Sequence, residues 1–245
     1  MCIIVHKPIG KKVDLATLKR CWDRNSHGAG FMFTQDGAVF GNKGYMTFEV
    51  LLKGLTDAGF YKKGKIGGKY AITLHFRLAS HGSIKPSNCH PFPVTDDVKV
   101  LKARFWEADC GLAHNGVIPI DRPYKDISDT MAYIIIRLSE VYGQLEANKE
   151  LYNLMARETQ GSRLFILYPD GHYVLSGTWV EEDGILYSNS SFKAPVAVVR
   201  QTHLIPAGPY RSASHAWCEE MQAAAGLPRK ERGPAPPGMK WVKAG

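Results

Sequence analysis

The chain has 245 residues, of which 44% are hydrophobic, 22% charged and 11% aromatic, an ordinary balance for a folded protein with one sizeable core or two small ones. Its longest apolar stretch, Met131 to Ile136, is cut by Arg137 and falls far short of the roughly 20 residues that cross a bilayer, so no membrane contact is expected. The net charge of +8 gathers at Lys62, Lys63, Lys65 and Lys69 and in a tail carrying Arg229, Lys230, Arg232, Lys240 and Lys243. Such runs can meet the phosphates of nucleic acid. No aromatic-interleaved RNA motif, zinc finger or helix-turn-helix accompanies them, which leaves solvated loops as the expectation.

In chain order, Cys2 to His6 forms a short apolar strand stopped by Pro8 and Gly10. Asp14 reads as the cap of a helix to about Asn25, with Leu15, Leu18, Cys21 and Trp22 on one face. Gly28-Ala29-Gly30 breaks the pattern. Strands at Phe31–Thr34 and Ala38–Phe40 flank Gln35-Asp36-Gly37, a hairpin signal. Thr47 caps a second helix carrying Phe48, Leu51, Leu52 and Leu55, and Gly59 ends it. Tyr70 to Leu78 alternates as a strand, and a polar loop follows to about Pro93.

Cys110 to His114 is a further apolar strand, closed by Asn115-Gly116. Ser128 or Asp129 caps a helix to about Tyr142, and a second helix spans about Ala147 to Glu158. Strands return at Leu164–Tyr168, Tyr173–Leu175, Thr178–Val180, Ile185–Tyr187 and Pro195–Val199. From about Gln201 the composition shifts to Pro, Gly, Ala and Arg, with a weak helix at Ser214–Ala225. Residues 1–200 therefore read as one domain and 201–245 as a basic, Pro/Gly-rich appendage. Paired helices between groups of strands predict an α+β layered fold.

Five cysteines, odd in number and never spaced C-x-x-C, argue against a disulfide framework or zinc ribbon. With no basic leader ahead of an apolar run, reduced thiols in a cytoplasmic protein are the expectation. Cys2 stands out. Removal of Met1 ahead of a small second residue would leave a thiol and a free α-amine on one residue. That amine titrates near 7.7–8.0 in peptides and can accept the thiol proton. The plainer reading of Cys2 is a buried, inert strand residue.

Three other features bear on chemistry. Arg77 leaves a strand into a Gly-containing loop, where its guanidinium suits a carboxylate or a surface ion pair, and Ser80 nearby offers a further donor. Asn115-Gly116 makes either a tight turn or an oxyanion hole of amide and backbone N–H. Asp129 stabilises a helix start in any case, and its carboxylate also suits a substrate ammonium. Together, Arg77 and Asp129 would grip an amino-acid head while Cys2 attacks a side-chain carbonyl. L-Glutamine has that shape.

The ordered blocks Met1-Cys2, His75-Phe76-Arg77-Leu78-Ala79-Ser80-His81-Gly82, Asn88-Cys89-His90-Pro91, His114-Asn115-Gly116 and Ser128-Asp129-Thr130 resemble the class II glutamine amidotransferases. These are N-terminal-nucleophile (Ntn) hydrolases whose blocks read roughly H-T-R-W-A-T-H-G, N-A-H-P, H-N-G and T-D-T. The resemblance covers roughly residues 2–140. It implies a four-layer αββα sandwich and a glutaminase whose nucleophile is Cys2, with Asn115 and Gly116 as oxyanion hole. It further implies Arg77, Ser80 and His81 on the α-carboxylate and Asp129 on the α-amine, without cofactor or metal. Ile3 stands where the family usually has Gly, Leu78 where it has Trp, and Ser80 where it has Thr. Residues 201–245 are too few for a synthase domain, so either a separate enzyme accepts the ammonia or the protein simply hydrolyses an amide. Three alternatives stay open. One is an N-terminal-cysteine amidase acting on a γ-glutamyl or other acyl amide. Another is a non-catalytic binding module. The third is a metal-dependent hydrolase built on His75, His81, His90 and His114, whose spacings match no metal motif.

Overall fold

The computed structural model describes residues 2–79, 83–194 and 242–243. The predicted strand at Pro195–Val199, the helix at Ser214–Ala225 and the boundary after residue 200 lie outside the described residues.

Along the chain, β1 (Ile3–Lys7) and the two-residue β2 (Val13–Asp14) lead into α1 (Leu15–Arg24). The Asp14 carboxylate caps α1 by accepting from Thr17 N, as the sequence predicts. Leu18, Cys21 and Trp22 turn inward, whereas Leu15, expected on the same face, is exposed at the first turn. β3 (Ala29–Gln35) and β4 (Ala38–Tyr45) form the predicted hairpin, with Asp36 and Gly37 both at positive φ. Both strands run longer than their apolar cores, because Gly30 and Gly41 pack as strand residues against His90 O and Trp106. α2 (Phe48–Asp57) is capped by Thr47 and followed by Gly59 at φ +77°. β5 (Tyr61–Lys62) and β6 (Lys65–Ile66) pair as a small hairpin ahead of β7 (Ile72–Phe76).

The second half adds β8 (Phe92–Pro93), α3 (Val98–Lys102), β9 (Phe105–Ala108) and β10 (Gly111–Asn115). Of these, α3 and β9 are too short to give a periodic signal. α4 (Asp129–Tyr133), capped by Ser128, is shorter than the helix predicted to Tyr142. Its ladder widens at Ile134–Leu138, where Ser139 N bonds Ile134 O across a π-turn. The run of three β-branched isoleucines crowds the helix there. α5 (Lys149–Glu158), β11 (Arg163–Leu167), β12 (Tyr173–Ser176), β13 (Val180–Glu182) and β14 (Ile185–Tyr187) follow, and β15 (Val242–Lys243) comes last.

The strands form an eight-stranded sheet ordered β13-β14-β1-β7-β3-β4-β9-β15, a four-stranded sheet β12-β11-β10-β8, and the small sheet β2-β6-β5. Among the described residues, all pairings are antiparallel except β15 on β9. The fold is therefore α+β with antiparallel sheets. Strand alternation sorts the side chains into three cores. Ile3, Val5, Phe31, Leu74 and Phe76 of the large sheet pack with Leu18, Trp22, Leu51 and Leu55 of α1 and α2. On the opposite face, Ile4, Met32, Val39 and Trp106 meet Ala113, Phe165 and Leu167 of the four-stranded sheet. The far face of that sheet, Leu112, Leu164 and Ile166, packs with Met131, Ile134, Leu138 and Met155. Among the described residues no helix is long and apolar enough to cross a membrane.

Trp106 stands over Gly41, where an added Cβ would lie 1.9 Å from its ring. Gly41→Ala is expected to cost about 1–3 kcal/mol by overpacking, read as a lower urea midpoint. Gly143→Ala, with open space around it, should stay within about 0.5 kcal/mol of the parent.

Candidate active site

Cys2 precedes the strand that lies between β14 and β7. Ser188, just past β14, accepts from Ile4 N at 2.8 Å and returns its own N–H to Ile4 O at 3.0 Å. Asn189 Nδ2 holds the Cys2 carbonyl at 2.7 Å. The Cys2 thiol is half-buried and receives the Leu78 N–H at 3.3 Å. Burial pushes the thiol above its ordinary value, while the Leu78 N–H and Arg77 pull the other way.

Arg77 arrives beside Cys2 because Phe76 pairs with Ile3 in the β7–β1 register. Its backbone is clamped on both sides, donating to Gly28 O at 2.8 Å and accepting from His27 N at 2.9 Å. Gly28 must be glycine, since it sits at φ +115° and a Cβ would fall 2.5 Å from Cys89 Sγ. The Arg77 side chain is only 6% exposed. Nη1 donates to Ser83 O at 3.2 Å, a carbonyl that also accepts from Asn88 Nδ2. Among the described residues no carboxylate pairs with this guanidinium.

β10 ends in Asn115, and Gly116 follows at φ +152° with a would-be Cβ 2.2 Å from Ser162 Oγ. The Asn115 amide is buried and donates to Ser188 Oγ at 2.8 Å, while its Oδ1 has no partner. Turning the amide over would let the Ser188 hydroxyl donate to Oδ1 and release the amino group. Asp129 opens α4 behind its Ser128 cap and accepts from Ile118 N at 2.9 Å, which ties down the loop over residues 116–127. Among the described residues Asp129 has no cationic partner either.

Cys2, Arg77, Gly116 and Asp129, more than a hundred residues apart in places, line one cavity of about 480 Å³. Asn115 lies immediately behind Gly116, and Ser80 and His81 lie outside the described residues. The lining groups that escape motif reading are Ser83 beside Arg77 and Arg122 and Lys125 on the loop. Asn88, His90, His114 and Thr130, which also line the cavity, sit in blocks that sequence order does single out. The loop carries no periodic or motif signal at all. Chemically, the cavity brings together a thiol, a guanidinium and a carboxylate, the last two without an ionic partner among the described residues, a fit for a zwitterionic head, with Arg122 and Lys125 adding positive charge on the loop.

Beneath the cavity lies a histidine cluster. His75 Nε2 donates to His114 O at 2.9 Å, and His75 stacks on His90 with ring centroids 4.3 Å apart. His114 Nδ1 and His90 Nε2 share Thr130 Oγ1 at 2.8 and 3.1 Å. Thr130 has a single proton, so at least one of the two rings donates to its hydroxyl. Of the histidines that suggested a metal site, His75, His90 and His114 are engaged through one ring nitrogen each and by stacking, which leaves His75 Nδ1, His90 Nδ1 and His114 Nε2 without a hydrogen-bond partner, and His81 lies outside the described residues. Among the described residues no three His, Cys, Asp or Glu side chains are placed to hold a metal ion.

No protein-family model matches the chain, and a search of curated proteins finds no significant match.

Burial holds His6 and His75 down to about 3 and His114 to about 4, and pushes His90 well below its ordinary value. All four are neutral in the folded state near neutral pH, whereas the unfolded chain protonates them near 6.5. Below that pH the unfolded state binds more protons, so stability falls with falling pH. Urea midpoints should hold above pH 6.5 and drop steeply between 6.5 and 4, by up to about 1.4 kcal/mol per pH unit for each histidine. A flat profile across that window would contradict the buried neutral cluster.

Proposed function

We propose that the protein is a cysteine-dependent glutaminase of the class II amidotransferase type, with an Ntn-hydrolase-like αββα arrangement. One observation carries the reading. A nearly buried arginine and the aspartate that opens α4, neither ion-paired among the described residues, line the same cavity as the Cys2 thiol. A buried guanidinium without a counter-ion is costly, and a substrate α-carboxylate relieves that cost. The succession of helix–sheet, sheet–sheet and sheet–helix cores supports the four-layer fold.

In this mechanism, removal of Met1 exposes the Cys2 α-amine, which takes the thiol proton. The thiolate attacks the glutamine side-chain carbonyl carbon, and the oxyanion is met by the Gly116 N–H and the Asn115 amide. The proton returns to the departing nitrogen, ammonia leaves, and water cleaves the resulting thioester to glutamate. Arg77 holds the α-carboxylate and Asp129 the α-ammonium throughout. The ammonia is used by a separate acceptor enzyme. The cavity volume of about 480 Å³, in the range that takes larger ligands, favours one second reading: a γ-glutamyl amide with a larger leaving amine.

The decisive measurement is intact mass before and after exposure to 6-diazo-5-oxo-norleucine, a glutamine mimic that alkylates such thiols. Loss of Met1 with a single adduct is expected, and Cys2→Ala should take none. Retained Met1 would leave no free α-amine on Cys2 and end this mechanism. Processed but unlabelled protein would favour the larger amide. With a turnover assay in hand, Asn115→Ala should lower kcat by about 100- to 1000-fold, and Arg77→Gln should act chiefly on KM.

A further inference from the structure

The lysine run noted in the sequence becomes, in three dimensions, part of a larger ridge. Lys62, Lys63, Lys65 and Lys69 are joined by Lys11 and Lys12, which the β2–β6 pairing and the Gly10 N–Gly68 O bond of 2.8 Å bring alongside. All six are exposed, and among the described residues none pairs with a carboxylate.

Two choices in this ridge run against folding. Lys62 and Lys65 are direct cross-strand partners, and like charges so placed repel. Lys63 occupies the turn between them at φ +52°, a conformation that Asn, Asp or Gly adopts with less strain. From beneath, the buried Lys7 ammonium donates to the carbonyls of Pro8, Lys11, Gly67 and Tyr70, which fixes both loops and adds a positive charge below the surface. Nearby acids offset only part of this. Asp14 faces Lys65 in register, yet its carboxylate caps α1 through Thr17. Glu182 is taken by Lys193 at 2.8 Å, leaving Asp183 beside Lys11 and Lys12 in a second cavity of about 660 Å³.

We infer that this ridge is a docking surface for the phosphate backbone of nucleic acid. Tyr70, partly exposed with Lys69 Nζ over its ring at 4.8 Å and Phe60 in a T-shaped contact at 5.8 Å, adds an aromatic side chain to the lysines, and that combination favours nucleic acid over an acidic polypeptide. The surface is separate from the Cys2 cavity, and the inference is independent of the glutaminase reading.

The test is binding of a fluorescent single-stranded 20-mer to the full chain across 50–200 mM salt. Substituting Lys62, Lys63 and Lys65 together by Gln should weaken binding at least about tenfold and flatten the log–log salt slope by about 2, since each lost phosphate contact is worth about 0.7. A charge-matched control with Lys19, Lys53 and Lys149 changed to Gln should change little. Lys63→Asn alone should raise the melting temperature while weakening binding, a pairing that a purely structural lysine would not give. Equal losses in both triple variants, no loss in either, equal competition by polyglutamate, or no binding at 50 mM salt would each overturn the proposal.

Discussion

Two-sided pairing of the first strand is the constraint on which the site depends. β1 is locked between β14 and β7, and Ser188 bonds both the N–H and the carbonyl of Ile4. A chain end is ordinarily the least ordered part of a domain. Here residue 2 is held by the Leu78 N–H at its sulfur and by Asn189 at its carbonyl. Ser188 also receives the Asn115 amide, so one hydroxyl joins β1 of the large sheet to the end of β10 in the other. Arg77 enters through the same register, one residue past the Phe76–Ile3 pair.

The space between the two sheets divides into a dry half and a polar half. Ile4, Met32, Trp106 and Phe165 fill the dry half. At the cavity end the same face of β7 carries His75, and His90 comes in from a loop, while His114 lies on the far face of the four-stranded sheet with Leu112 and bonds Thr130 of α4. Neutral imidazoles suit this position because each offers one donor and one acceptor without the cost of a buried charge. Charge is instead concentrated at the cavity wall, on Arg77 and Asp129, which have the least internal compensation. Arg122, Lys125 and Asp126 of the loop line the same cavity, and His75 Nδ1, His90 Nδ1, His114 Nε2 and Asn115 Oδ1 are buried near it without a hydrogen-bond partner.

Much of this was legible in the sequence, for definite reasons. Asp14, Thr47 and Ser128 mark helix starts because a side-chain oxygen beside a periodic apolar run has one obvious backbone donor to satisfy. The Asp36-Gly37 turn and the strands around Leu74, Leu112 and Phe165 follow from φ preferences and alternation, which are local. Other features were hidden. β4 runs on through Gly41 and Gly44 only because Trp106 and Pro86 take the space that side chains would fill. α4 gives way to a π-turn within an apolar run that reads as continuous helix. The pairing of β5 and β6 is too brief to show as a pattern.

For function, the sequence by itself determined the inventory: a cysteine at position 2, an arginine and an asparagine each at a strand end, and an aspartate at a helix start. Those readings rest on residue type and immediate neighbours, which chain order preserves. Only the tertiary structure decided that Cys2, Arg77, Gly116 and Asp129 face one cavity, that Asn115 leans on Ser188, and that Lys11 and Lys12 extend the lysine run into a ridge. Each of those facts is a meeting of segments distant in the chain. It is fixed by strand order and register, which depend on the whole set of backbone hydrogen bonds and on which face of each strand is buried.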